Sequence, residues 1–284
     1  MTNKYSRREA IKLGAGTAVL GIAGSALSAA TTQQISNPQE SKQMSAISEF
    51  NKYGEELENI LILRTSPIAV KMLEKEEDIP KRALRPYKDR GHRIAQCQAF
   101  AYSRRDGLTV AMLKEDNHCP TSVVAYGLEK KPAILASFHP YNCFEHGKYI
   151  GIVSAPLRSA TFMPDVVIAY LKPSQLRSLF LSLPFSEVPQ VSGHFFPPSC
   201  GWSVVEPMLT GKYWAVVPDP GEYQRALTDE GDMMVSIPRD KMPGLMTGMS
   251  RGGMFPYREH QMFMLPNFEQ PQFYKDLFKS WGIE

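Results

Sequence analysis

The 284-residue sequence contains only four cysteines, and none of them stands in the close pairs of common metal-binding motifs. They occur at positions 97, 119, 143 and 200, with no Cys-x-x-Cys spacing. A glycine-rich phosphate loop and a His-Glu-x-x-His helix are also missing. These absences exclude the most familiar short signatures of nucleotide binding and of zinc peptidases.

The chain has one run of weakly apolar residues near its start, and no later stretch is long and apolar enough to span a bilayer. Residues 1–30 have the parts of a secretory signal in order: basic residues, an apolar run over 13–27, and small residues at 28–30. Four glycines keep the apolar run below the hydrophobicity of a stable spanning helix. The alternative, a basic tail before a membrane anchor, is therefore the weaker interpretation.

Paired arginines mark the type of signal. Ser6-Arg7-Arg8, followed by Ile11-Lys12, resembles the twin-arginine consensus, although Ala10 stands where that pattern usually has Phe. The resemblance implies export by the twin-arginine translocation machinery to the periplasm or the cell exterior. That machinery carries proteins already folded, often because a cofactor was inserted in the cytoplasm, so the signal favours a bound cofactor.

The charge of the chain is nearly balanced. The formal net charge is +3, and residues 1–30 carry an excess of three basic side chains, so the remainder is neutral. A neutral chain has no electrostatic footprint for nucleic acid or for an anionic membrane surface. We therefore expect no nucleic acid binding. Because no later run is long and apolar enough, we also expect no stable membrane span in the exported protein.

Composition divides the chain into four segments. After the signal at 1–30, residues 31–46 are rich in Gln, Ser, Thr and Asn, which predicts a flexible tether. Residues 47–250 are predicted to form the folded domain. Residues 251–284 form a C-terminal extension, in which Phe273, Leu277 and Trp281 predict one apolar face of a closing helix.

Hydrophobic periodicity predicts strands that alternate with helices through the folded domain. This pattern indicates an α/β (α+β-like) fold with a mixed sheet and flanking helices. The predicted helices cover 48–63, 93–104, 174–183, 201–209 and 239–249, with a short one starting at 119. The predicted strands cover 67–73, 108–113, 149–157, 165–171, 213–217 and 233–237.

A short internal echo points to two related halves. Cys119-Pro-Thr-Ser-Val-Val resembles Cys200-Gly-Trp-Ser-Val-Val, and similar strands start at Pro67 and Pro164 upstream. The spacing from strand to cysteine differs between the two copies, and short Val-rich strings are common in such sequences. Duplication and chance similarity both remain open at this point.

Several short motifs occur in the order that is typical of a prokaryotic family, domain of unknown function 169. They are Pro67-Ile-Ala-Val-Lys71, Cys97-Gln-Ala, His118-Cys119-Pro120, Tyr126-Gly127-Leu128, Pro164-Asp165-Val-Val, Cys200 and Pro207-Met-Leu-Thr-Gly211. The chain from about residue 50 to 250 resembles this family, which offers no settled activity. The resemblance implies that Cys97, Cys119 and Cys200 occupy characteristic positions.

The chain also departs from that family pattern. Many members have a further cysteine shortly after the Leu-Thr-Gly segment, and residues 214–221 contain none. A four-cysteine site would therefore require Cys143 as its fourth member.

Dispersed cysteines can converge on an iron–sulfur cluster when a fold brings their loops together. We expect Cys119 and Cys200 to start helices, where exposed amides favour thiolate over thiol. The sequence therefore predicts a cluster held by Cys97, Cys119 and Cys200, with Cys143 as a possible fourth ligand. Two disulfides are an equal alternative, because an exported protein lives where disulfides persist. Buried free thiols or a nucleophilic cysteine are the third.

Histidines offer a second set of candidates. His139, Cys143 and His146 have a spacing that suits zinc, although an aromatic-rich surface loop is the commoner outcome. His118 precedes Cys119 and could ligate a metal or act as a base for that thiol. Hydrogen bonding to the backbone is the simpler role.

The sequence as a whole favours an exported redox or metallocofactor-binding protein that works with an electron-transfer partner. One alternative is a disulfide-stabilised periplasmic protein that binds a small molecule. The other is a cysteine-dependent enzyme that uses Cys119 with His118.

Overall fold

A computed structural model describes residues 38–133, 142–184, 187, 190–250, 270 and 272–283. The predicted export signal and the first part of the predicted tether lie outside these residues. Much of the C-terminal extension also lies outside them, but its predicted helix is present at Gln272–Ser280.

One mixed sheet organises the described chain. Its spatial order is β2-β3-β1-β4-β7-β6-β5, and every neighbouring pair is antiparallel except β5 with β6. The α/β fold with flanking helices is therefore confirmed. The strands are β1 Ile68–Leu73, β2 Val110–Leu113, β3 Gly151–Pro156, β4 Val166–Leu171, β5 Val191–His194, β6 Tyr213–Val216 and β7 Met233–Pro238.

Helices fill most of the connections between these strands. In chain order the α-helices are α1 Pro38–Leu61, α2 Pro86–Arg90, α3 Gln96–Asp106, α4 Pro120–Ala125, α5 Pro173–Leu181, α6 Ser199–Trp202, α7 Val205–Thr210, α8 Pro220–Arg225, α9 Met242–Ser250 and α10 Gln272–Ser280.

The sheet is apolar on both faces, and helices cover each face. In β1, Ala69 and Leu73 contribute to one core, whereas Ile68, Val70 and Met72 contribute to the other, as the two-residue period of a strand requires. The first core is closed by apolar residues of α1, α5 and α9. The second core is closed by residues of α3, α4, α6 and α7.

Six of the seven strands form two halves with the same topology. The first half contains β1, β2 and β3, and the second contains β4, β6 and β7, with β5 added at the edge. In the first half Ile68 lies opposite Pro156, and in the second Val166 lies opposite Pro238. The two halves meet where β1 pairs with β4, and Ala69 opposite Val167 is the centre of that pairing. This arrangement has pseudo-twofold symmetry.

Backbone hydrogen bonds repeat between the halves as well. The Leu157 N–H donates to the Pro67 carbonyl at 2.8 Å, and the Arg239 N–H donates to the Asp165 carbonyl at 3.1 Å. A 3₁₀ turn follows the terminal proline of β3 and of β7 in the same way. The predicted relation between two halves therefore has a structural counterpart, because equivalent residues repeat in register.

Several boundaries differ from the predictions. Helix α1 begins at Pro38, so the end of the segment predicted as a tether is helical. The helix predicted at 201–209 is two short helices, which are separated at Ser203 and Val204. Strand β5 and helices α2 and α8 were not predicted. Among the described residues, no helix is both long enough and apolar enough to cross a membrane.

Two helical glycines provide a test of the packing. A Cβ at Gly54 in α1 would lie 2.6 Å from the Arg158 backbone nitrogen, whereas a Cβ at Gly244 in α9 would meet nothing within 4 Å. We expect Gly54→Ala to lower the free energy of unfolding by about 2 kcal/mol through overpacking. Gly244→Ala should raise it by about 0.5 kcal/mol through helix propensity. Urea denaturation of both variants checks this, and a stabilised Gly54→Ala protein would contradict the α1 packing.

Candidate functional site

Three of the four cysteines lie at the beginnings of helices that cover the second core. Cys97 is the second residue of α3, Cys119 directly precedes α4, and Cys200 is the second residue of α6. Helix α4 packs on α6, and α3 packs on α8. The fold therefore brings the starts of helices from both halves to one region.

The side chains of these cysteines are close neighbours. Cys97 and Cys119 pack in one small cluster with Ala95, Ala101 and Ala226. Burial is the first cause of the raised pKa of the Cys200 thiol, and the thiols of Cys119 and Cys97 add to it. Within the described chain, no disulfide joins these three cysteines. The structure therefore brings these three predicted residues into one region.

Burial controls the protonation of two thiols. Cys97 and Cys200 are each 6 % exposed. Burial, followed by the charge of Glu222, raises the pKa of Cys97 to about 12. The pKa of Cys200 is also well above its ordinary value, chiefly because the residue is buried. Burial of Cys200 thus opposes the thiolate that a helix N-terminus was expected to favour, since desolvation outweighs the amides of a four-residue helix.

Cys119 is the accessible member of the group. It is half-buried, and its Sγ lies 3.0 Å from the Thr121 hydroxyl. Its backbone N–H donates to Asn117 Oδ1 at 2.8 Å, which fixes the turn before α4. The cysteine group therefore has one edge toward solvent.

Asp219 is a fourth polar residue at this location, and the sequence analysis did not identify it. Its Oδ1 accepts hydrogen bonds from the N–H groups of Gly221 and Glu222, and its Oδ2 accepts one from Ser199 at 2.8 Å. Its charge contributes to the raised pKa of both Cys97 and Cys200. Asp219 thus lies among the cysteines and joins α8 to α6.

The repeated topology pairs these residues in a way that differs from the sequence echo. Cys97 is the second residue of α3, which comes before strand β2, and Cys200 is the second residue of α6, which comes before the equivalent strand β6. After these strands, Cys119 directly precedes the proline that opens α4, and Asp219 directly precedes the proline that opens α8. The sequence similarity between the segments at Cys119 and Cys200 therefore does not follow the repeated topology, because Cys119 comes after strand β2 whereas Cys200 comes before strand β6.

Two buried polar side chains beside the cysteines lack hydrogen bonds. Gln96 and Ser199 are each 1 % exposed, and each directly precedes a buried cysteine. Both amide atoms of Gln96 and the hydroxyl of Ser199 have no hydrogen-bond partner among the described residues. A buried group without a partner costs about 1–3 kcal/mol. Their occurrence at equivalent positions of both halves favours a site that receives a polar or charged group.

A buried polar network borders the site. Glu222 is fully buried and accepts hydrogen bonds from the Tyr170 hydroxyl at 3.0 Å and the Thr228 hydroxyl at 3.1 Å. The Arg104 guanidinium lies 4.2 Å from the centre of the Tyr170 ring and donates to Thr228. Burial, followed by the charge of Asp219, raises the pKa of Glu222 to about 7.

The remaining predicted residues have other contacts. Cys143 is half-buried, packs against the second core, and has a raised pKa because of burial. His146 faces Glu129 at 3.7 Å, and His139 lies outside the described residues. The His118 Nδ1 atom is 3.3 Å from the Arg93 carbonyl, in keeping with the simpler backbone role.

In the described part of the chain, no group of three or more His, Cys, Asp or Glu side chains is arranged to hold a metal ion. A four-iron cluster makes a different demand. Each cysteine then binds a different iron atom, so the ligands of a cluster stand farther apart than those of one ion. The cluster predicted from the sequence therefore stays a prediction.

The fold and the cysteine group define a mixed α/β protein in which three cysteines from two halves lie in one region. Residues 56–248 match the family DUF169, described as Uncharacterised ArCR, and the chain belongs to that family. The match covers more than half of the chain. No curated protein and no solved structure matches it.

The raised pKa of Glu222 predicts how stability changes with pH. The folded protein retains a proton on Glu222 up to pH about 7, whereas the unfolded chain loses it near pH 4.5. This contribution to stability is therefore complete below pH 4.5 and is lost as the pH rises through 7. Between pH 5 and 8, the iron-free wild type should lose about 2 kcal/mol more unfolding free energy than Glu222→Gln.

Urea denaturation at pH 5 and pH 8 measures this difference. The exposed Glu230→Gln substitution is the matched control, and its pH dependence should follow the wild type. Equal pH dependence of Glu222→Gln and the wild type would show that Glu222 does not titrate in this range.

Proposed function

We propose that the protein is an exported redox protein that binds an iron–sulfur cluster through Cys97, Cys119 and Cys200. The observation that carries this proposal is the meeting of three thiols, from three separate helices, on one face of the sheet. Thiolates are the ligands that iron–sulfur clusters use in proteins. A bound cluster supplies one-electron transfer.

Binding would change the protonation of the site. Each of the three cysteines must lose its proton to become a ligand, and the high pKa values of Cys97 and Cys200 make that loss unfavourable without a metal. Iron balances the negative charge of the thiolates and so offsets the cost of burying it. Without a metal, Cys97 and Cys200 would therefore be neutral thiols, and their protons would be released on assembly.

The cysteine group has a buried side and a solvent-accessible side. Tyr126 is fully buried, its hydroxyl donates to the Cys200 carbonyl at 3.0 Å, and burial raises its pKa well above the ordinary value. Cys97 and Cys200 lie on the buried side. Cys119 is on the accessible side, and this edge is where an electron-transfer partner would approach.

The export part of the proposal rests on residues 1–30. Ser6-Arg7-Arg8 and Ile11-Lys12 resemble the twin-arginine consensus, and the run that follows has the composition of a signal. Transport in the folded state would allow a cluster to be inserted before export to the periplasm or cell exterior. The signal and the cysteine site thus support one another.

Cysteine substitutions test the cluster. Anaerobically purified protein should be coloured and hold about four iron and four sulfide per chain. Cys97→Ser, Cys119→Ser and Cys200→Ser should each lose most of that iron, because each removes one ligand. Cys143→Ser is the matched control and should keep the iron content of the wild type.

The outcomes separate the candidate functions. Colourless wild-type protein without iron or sulfide, even after anaerobic reconstitution, would overturn the cluster. A small-molecule-binding protein with bridged cysteines would then show no free thiols, and a thiol enzyme would show rapid alkylation at Cys119. Loss of iron from Cys143→Ser would instead overturn the assignment of ligands.

The export signal has its own test. Replacement of both Arg7 and Arg8 by lysine keeps the charge but removes the paired arginines that the machinery requires. We expect the variant to accumulate in the cytoplasm, whereas the wild type appears in the periplasmic fraction. Unchanged export of the variant would contradict the twin-arginine route and leave the cluster proposal intact.

A further inference from the structure

We propose that Asp219 is the fourth ligand of the metal site, so that three thiolates and one carboxylate complete the set. This inference rests on the proposed function and specifies its chemistry. It assigns a role to a residue that is not a cysteine and that the sequence motifs did not identify.

The symmetry of the fold places Asp219 opposite Cys119. In the first half, Cys119-Pro120 opens the six-residue helix α4 after strand β2. In the second half, Asp219-Pro220 opens the six-residue helix α8 after strand β6. The two strands are equivalent because Val110 lies opposite Ser154 in one half, as Trp214 lies opposite Ser236 in the other. Asp219 thus stands where symmetry requires the partner of Cys119.

The other members of the site obey the same symmetry. Cys97 and Cys200 are equivalent, and so are Gln96 and Ser199, the buried polar residues before them. A site built from equivalent pairs would have Cys119 and Asp219 as its second pair of ligands. The unpaired Gln96 and Ser199 groups are an independent indication that the centre receives a charged group.

Asp219 is held in position and retains capacity to bind. Three N–H groups donate to it, from Ser199, Gly221 and Glu222. A carboxylate accepts about four hydrogen bonds, so one lone pair is left. The Cys97 Sγ atom lies 3.7 Å from the Gly221 carbonyl, which brings this helix start beside the cysteines.

The nearby alternatives are engaged elsewhere. Glu222 directs its two carboxylate oxygens to the hydroxyls of Tyr170 and Thr228. The His118 ring contacts the Arg93 carbonyl. Asp219 and Glu222 both influence the pKa of the two buried thiols, and Asp219 is the one whose carboxylate accepts a hydrogen bond from the residue before Cys200.

A carboxylate gives one iron a distinct chemistry. Oxygen is a harder ligand than thiolate and binds the iron of a cluster less tightly. On assembly the cysteine ligands would form Fe–S bonds, whereas Asp219 would form an Fe–O bond. The iron at Asp219 should therefore be the most easily lost and the most open to ligand exchange.

Substitution at Asp219 tests the assignment through iron content, electron paramagnetic resonance and the midpoint potential. Asp219→Ala should yield a three-iron cluster with its own resonance signal, because one iron loses its protein ligand. Asp219→Cys should retain four irons, lose iron more slowly to a chelator, and have a more negative potential, because thiolate donates more charge. The exposed Asp240→Asn variant should match the wild type in all three measurements.

Asp219 also caps α8, so folding is checked separately. Asp219→Asn keeps an oxygen acceptor for the helix amides but removes the carboxylate, and circular dichroism should show a native fold together with loss of the fourth iron. A wild type without any cluster would overturn the proposed function itself. A four-iron wild type with unchanged iron, signal and potential in Asp219→Ala, Asp219→Asn and Asp219→Cys would overturn only the role of Asp219.

Discussion

The pairing of β1 with β4 is the contact on which the rest of the fold depends. It is antiparallel and centred on Ala69 opposite Val167, and it is the seam between the two halves. Asp165 strengthens the seam, because its N–H donates to the Val70 carbonyl and its carboxylate accepts from the Met72 N–H. An antiparallel seam relates the halves by a twofold rotation about an axis perpendicular to the sheet, so equivalent helices fall on the same face. A site shared by both halves follows from that geometry.

The polar groups buried around the cysteines lower the stability of the fold. Cys97 and Cys200 are buried as neutral thiols, and Gln96 and Ser199 are buried without hydrogen bonds. Natural interiors leave few such groups unpaired, and the exceptions concentrate at functional sites. The surrounding apolar packing holds these residues in place. This cost supports the proposal that the site receives a charged group.

The sequence predicted the parts of the fold that hydrophobic patterning controls. Runs rich in Val and Ile gave β1, β3 and β4, and the proline after Cys119 gave the start of α4. Strand β5 was missed because Val-Ser-Gly-His lacks such a pattern. The family resemblance marked Cys97, Cys119 and Cys200 as characteristic positions, and their convergence was a hypothesis from the chemistry of dispersed cluster ligands. The symmetry of the halves lies in strand register, which the local similarity between the segments at Cys119 and Cys200 does not follow.

The same symmetry points to a fourth position that a comparison of cysteines alone would miss. Residues 214–221 contain no cysteine, and Cys143 was the remaining candidate by elimination. Only cysteines were candidates in that comparison, whereas the fold specifies a position, the residue before the proline that opens α4 or α8. At that position each half has an N-cap residue followed by proline. The N-cap side chain is a thiol in one half, at Cys119, and a carboxylate in the other, at Asp219. A duplicated fold can thus retain the geometry of a centre while one half changes its ligand, and Asp219 has the features expected of such a change: it caps its helix, contacts α6 and acts electrostatically on both buried thiols.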